Sequence, residues 1–167
     1  SSHGASLNAV LARQLAIFFM VGLIIGLSAA QLTAGFGFPF PASPDTLIIT
    51  LVVLGFANYF ASYPIYRYRK QALSQNDGPR PARPNPFYAV RVLIMARAST
   101  LTGGLFAGWH LGLLLWLVLF SVAPEALVMN TSSGFLASLF LILGALIAQR
   151  NCKSPPQSDS VSEKSVN

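Results

Sequence analysis

Four long stretches of this chain carry almost no charge, and nothing constrains its fold more. Residues 10–36, 46–66, 87–122 and 132–149 are built mainly from Leu, Ile, Val, Phe, Ala and Gly. A hydrocarbon layer about 30 Å thick is crossed by about 20 helical residues. Inside it the backbone must satisfy its own hydrogen bonds, which leaves helices or a closed barrel, and barrel strands are only about 10 residues long. Composition agrees. Charged residues make up 10% of the chain, against about 25% in a soluble domain that must face water. The expected fold is therefore all-α: an integral membrane four-helix bundle with a long third helix, spanning residues 1–150. Residues 151–167 are poor in apolar side chains and are expected to form a disordered cytoplasmic tail.

The span ends carry their own signals. Pro39 and Pro41 close the first stretch, because proline lacks the amide donor a helix needs. Asp45 suits the N-cap of the second. Tyr59, Tyr63, Tyr66 and Tyr68 crowd its other end as an interfacial aromatic belt would. Pro86 fits a first helical position. Arg91 and Arg97 interrupt the front of the third stretch, so its first turns should protrude from the membrane or lie along its surface. Ser28 and Ala30 have signal-peptidase spacing, but the apolar run before them is long for a signal peptide, so the helix is expected to be retained.

Charge placement predicts the orientation. Arg67, Arg69, Lys70, Arg80, Arg83, Arg91 and Arg97 fall between spans two and three or at the start of three. Arg13 precedes span one, and Arg150, Lys153 and Lys164 follow the core of span four. The other two loops carry only Asp45 and Glu125. With both termini cytoplasmic, every Lys and Arg lies on the inner side of a plasma membrane, as the positive-inside rule requires. The net charge of +6 is thus a topological signal. No aromatic-and-basic array accompanies it, so no nucleic-acid partner is expected.

Two series of small residues recur every four positions. Span three has Ala96, Thr100, Gly104, Gly108 and Gly112; span one has Gly22, Gly26, Ala30 and Ala34. Such stripes let helix backbones approach closely, which matters in lipid because hydrophobic drive between helices is weak. They serve either the packing of the chain's own helices or the docking of a second copy or partner. His110 is the one side chain with ordinary acid–base chemistry deep in a span. It lies roughly 20 Å beyond Arg97 at about 1.5 Å per residue. An ionisable intramembrane residue is a functional candidate; the alternatives are a neutral histidine bonded inside the bundle, or one near the outer interface. Asn58 is a second polar candidate within a span. Arg91 and Arg97 are candidates for lipid phosphates at the cytoplasmic interface.

The sequence carries no phosphate-binding glycine loop, HExxH or CxxC, and no span holds paired carboxylates. No catalytic residue, metal site or cofactor is therefore expected. The single Cys152 excludes a disulfide within one chain.

The run Asn85-Pro86-Phe87-Tyr88-Ala89-Val90-Arg91, then Ala96-Arg97-Ala98-Ser99 and the glycines at 103, 108 and 112, resembles an actinobacterial membrane family described as domain of unknown function 3180. The tail Cys152-Lys153-Ser154-Pro155 resembles its mycobacterial members. The resemblance implies a four-span plasma-membrane protein with no assigned activity. It also implies an aromatic residue at the position of His110, which weighs against a shared catalytic role there.

Three functions compete. The leading expectation is a non-enzymatic accessory or scaffold subunit of a larger membrane assembly, whose partners are lipids and other membrane proteins or further copies of itself. The second is a small oligomeric transporter or lipid carrier using His110 and Asn58, which requires a polar cavity reachable from one side. The third is a lipid-directed enzyme with Arg91 and Arg97 on a phosphate.

Overall fold

The computed structural model describes residues 2–73, 85–120 and 124–152. They form four helices: α1 (Ser2–Gly35), α2 (Asp45–Leu73), α3 (Pro86–Leu119) and α4 (Glu125–Cys152). All four are long and apolar enough to cross a membrane. The expected tail beyond residue 152, and Arg80, Arg83, Lys153 and Lys164, lie outside the described residues.

Local chemistry sets the helix starts. The carbonyl of Pro44 accepts from the amides of Leu47 and Ile48, so the cap stands one residue before the expected Asp45. Asn85 caps α3 through its side chain, which accepts from the Phe87 amide at 3.0 Å, with Pro86 at the first position. The Pro124 carbonyl plays the same part at the head of α4. That helix begins at Glu125, earlier than the apolar pattern suggested, because Asn130 and Thr131 turn into the protein and are not loop residues. Similarly, α1 begins before residue 10 and α2 runs past Pro64 to Leu73. At 34 residues, α3 is about 51 Å long, well beyond a bilayer core.

The helices run alternately up and down. Close pairs such as Leu15 with Gly104 and Leu23 with Gly112 set α1 parallel to α3. Gly55 with Gly144 and Ser62 with Asn151 set α2 parallel to α4. Asn58 with Ser99 and Ala61 with Tyr88 set α2 antiparallel to α3, and Gly103 with Ile142 and His110 with Gly134 set α3 antiparallel to α4. One end therefore gathers the start of α1, the end of α2, the start of α3 and the end of α4. Arg13, Arg67, Arg69, Lys70, Arg91, Arg97 and Arg150 all belong to that charged end, while Asp45 and Glu125 stand at the opposite end.

The four helices do not surround a common axis. The pair α3–α4 is central; α1 packs on α3, and α2 packs mainly on α4 with a lighter contact to α3. Among the described residues no Cα–Cα approach within 8 Å joins α1 to α2 or α4. Apolar side chains such as Ile17, Met20, Ile24 and Ile25 on α1, and Ile49, Val53 and Phe60 on α2, are exposed. Lipid is the solvent in which such faces carry no penalty.

Candidate functional site: two buried polar layers

Small residues bring the helices close, and polar side chains use that closeness. The expected stripes meet each other. A Cβ built on Gly22 would strike the Leu105 carbonyl, and one on Gly26 would stand 2.5 Å from the Trp109 carbonyl oxygen. A Cβ on Gly108 would strike the Phe19 carbonyl, and one on Gly112 would stand 2.6 Å from that of Leu23. Ala30 is fully buried beside Leu113, Trp116 and Leu117. These residues form the α1–α3 interface inside a single chain. Thr100 departs from the stripe: its hydroxyl accepts from Gln149 Nε2 of α4 at 2.6 Å. The cause is geometric. Each four-residue step rotates about 40° around the helix, so the series from Ala96 to Gly112 winds from the α4 side to the α1 side.

The layer nearer the charged end contains Asn58, Ser62, Ser99, Thr100 and Gln149, all buried. Asn58 Nδ2 donates to Ser99 Oγ at 3.0 Å and to the Leu54 carbonyl at 2.8 Å. Thr100 returns its proton to the Ala96 carbonyl. Asn151 donates to Ser62, which donates to the Tyr59 carbonyl. Together these bonds join α2, α3 and α4. The Asn58 Oδ1 atom is buried without a partner.

The second layer is built around His110, which has no exposed surface. Its Nδ1 lies 2.7 Å from the Phe106 carbonyl. A carbonyl only accepts, so Nδ1 carries a proton, and in the neutral ring Nε2 is left as an acceptor. Ser43 Oγ stands 2.7 Å from Nε2. Asn130 Nδ2 donates to the Ser43 carbonyl at 2.9 Å. Gly134 leaves room for the imidazole, since a Cβ there would overlap the ring. Ser138 approaches Nδ1 at 3.5 Å while donating to the Gly134 carbonyl. Thus one histidine ties the α1–α2 connection to α3 and α4. Ser43 lies two residues before Asp45, so His110 sits close to the level where α2 begins with a charge. That places it nearer the end of the helices opposite the basic residues than their middle.

The sequence missed Ser43, Asn130 and Ser138. Their signal was weak: a serine between prolines, an asparagine in a segment read as loop, and a serine inside an apolar span. His110 and Asn58 are both buried as candidates, but the structure does not bring them together. Ser99, the partner of Asn58, lies about 16 Å along α3 from His110. Arg91 and Arg97 are exposed near the charged end, in the first half of α3. Among the described residues no three metal-binding side chains cluster.

A nucleophile beside an oriented imidazole is the arrangement used in acyl transfer. Here it is sealed: Ser43 is only 8% exposed and His110 is fully enclosed. The bonds join the α1–α2 connection to α3 and α4.

Antiparallel apolar helices, small-residue contacts and internally bonded polar layers define a four-span helical membrane protein. Within that class, a family model described as "Protein of unknown function (DUF3180)" matches residues 15–156, and the chain belongs to that family. No curated protein and no solved structure matches the chain.

Proposed function

We propose that this protein is a non-enzymatic accessory or scaffold subunit of an actinobacterial plasma-membrane assembly, with both termini in the cytoplasm. The observation that carries the reading is the lopsided packing of α1. Among the described residues the α1 backbone packs closely on α3 alone, and the helix presents many apolar side chains outward. A peripheral helix of this kind is available to neighbouring membrane proteins in a way that the central α3 is not. The glycine stripes do not supply the docking surface, since α1 and α3 use them on each other. The buried polar residues favour a scaffold over a carrier, because their hydrogen bonds connect helices and His110 and Asn58 belong to different layers. The confinement of the described basic residues to one end supports a cytoplasmic placement of that end.

The test is gentle extraction from native membranes followed by identification of co-purifying chains. Stable, stoichiometric association with other membrane proteins is expected. A monodisperse single chain, unchanged by cross-linking in the intact membrane, contradicts the proposal.

A further inference from the structure

At the charged end, a cavity of about 370 Å³ lies among α1, α2 and α4. That lies within the usual range for small-molecule sites, about 300–1,000 Å³. Its lining is Asn8 and Leu11 from α1, Arg69 from α2, and Leu146, Gln149 and Arg150 from α4. Arg69 is half-buried and is held in place: its NH1 donates to the backbone carbonyl of Arg150 at 3.2 Å. A guanidinium has further N–H donors after that bond is made. Gln149 is fixed from behind by its bond to Thr100. Among the described residues the lining contains two cations and no carboxylate; Asp45 and Glu125, the acidic residues described, stand at the opposite end of the helices. Leu11 and Leu146 supply apolar wall on helices that continue into the membrane.

We propose that this pocket binds the phosphate of an anionic lipid headgroup, with Arg69 and Arg150 as its cationic contacts. Arginine suits the task because its planar fork matches phosphate oxygens two at a time. The leucine wall favours a lipid over free phosphate, since the first carbons of an acyl chain find apolar contact beside the headgroup. The site differs in residues and position from the exposed Arg91 and Arg97, and it does not depend on the scaffold proposal.

Native mass spectrometry of the full chain, titrated with phosphatidylglycerol or phosphatidylcholine, reads the occupancy directly. The wild type is expected to prefer phosphatidylglycerol. R150Q should weaken that binding on the order of tenfold, the equivalent of one charge-assisted hydrogen bond, and R69Q/R150Q should abolish the preference. R67Q, outside the lining, should retain it. R150Q alters an exposed side chain and leaves intact the backbone carbonyl that Arg69 uses, so it keeps the test valid where the double variant fails to fold. Preference for phosphatidylglycerol undiminished in R150Q overturns the proposal. So does equal competition by inorganic phosphate at the lipid's concentration, or binding that emerges only after deletion of residues 153–167, which would make the tail the natural occupant.

Discussion

Replacing Gly108 with alanine tests the close backbone contact between α1 and α3. The added Cβ would meet two groups of the α1 backbone, the Phe19 carbonyl and the Leu23 amide nitrogen, the latter at 2.8 Å. No side-chain rotation relieves such a contact, so the helices must separate by about 1 Å. A radial gap of 0.5–1 Å forfeits about a quarter to a half of each van der Waals well, and each well is worth about 0.1–0.2 kcal/mol. Over about fifty atom pairs across the interface the loss is about 3 kcal/mol. Alanine returns about 1 kcal/mol of helix propensity, leaving a net cost of about 2 kcal/mol. Gly35 is the control: a Cβ there meets nothing within 4 Å, so G35A should cost nothing. Gly22 lies in the same interface, and the separation that accommodates one Cβ also relieves the other. G22A/G108A should therefore cost clearly less than the sum of the single variants. Reversible unfolding in mixed micelles measures the four variants against the wild type. G108A with wild-type stability, or strict additivity of the pair, refutes the close α1–α3 contact.

Other perturbations test the polar layers by the same assay. S43A leaves His110 Nε2 buried without its partner and should cost about 1–3 kcal/mol; S43A and H110A together should show a coupling of about 1 kcal/mol, and independence would separate the two residues. G134A pushes a Cβ into the imidazole and should cost about 1–3 kcal/mol, a penalty that should largely vanish in an H110A background. N58L removes both the bond to Ser99 and the unpartnered Oδ1, so its effect should stay within about 1 kcal/mol. A loss of several kcal/mol would show that Asn58 has a larger role than joining helices.

The membrane-spanning architecture was legible because lipid imposes length and polarity on every span at once. The absence of charge in residues 46–66 and the Pro39–Pro41 break needed no tertiary knowledge. Helix ends were less legible. Asn130 and Thr131 look like a polar loop, yet tertiary partners and their own helix absorb them. The stripes were visible as spacing, but spacing alone does not say which helix receives them, nor that Thr100 has rotated toward α4. The polar layer at His110 was hidden for a similar reason: Ser43 comes from a connection 67 residues away, and nothing local marks it as a partner.

The central claim is that four helices cross the membrane with the basic end in the cytoplasm. Single cysteines read this directly in a C152S background, using a membrane-impermeant maleimide on intact and then permeabilised cells. Ala42 and Gln71 are exposed at opposite ends of α2. The account predicts that A42C labels in intact cells and that Q71C labels only after permeabilisation. Labelling of Q71C from outside, or the same behaviour at both positions, would contradict it.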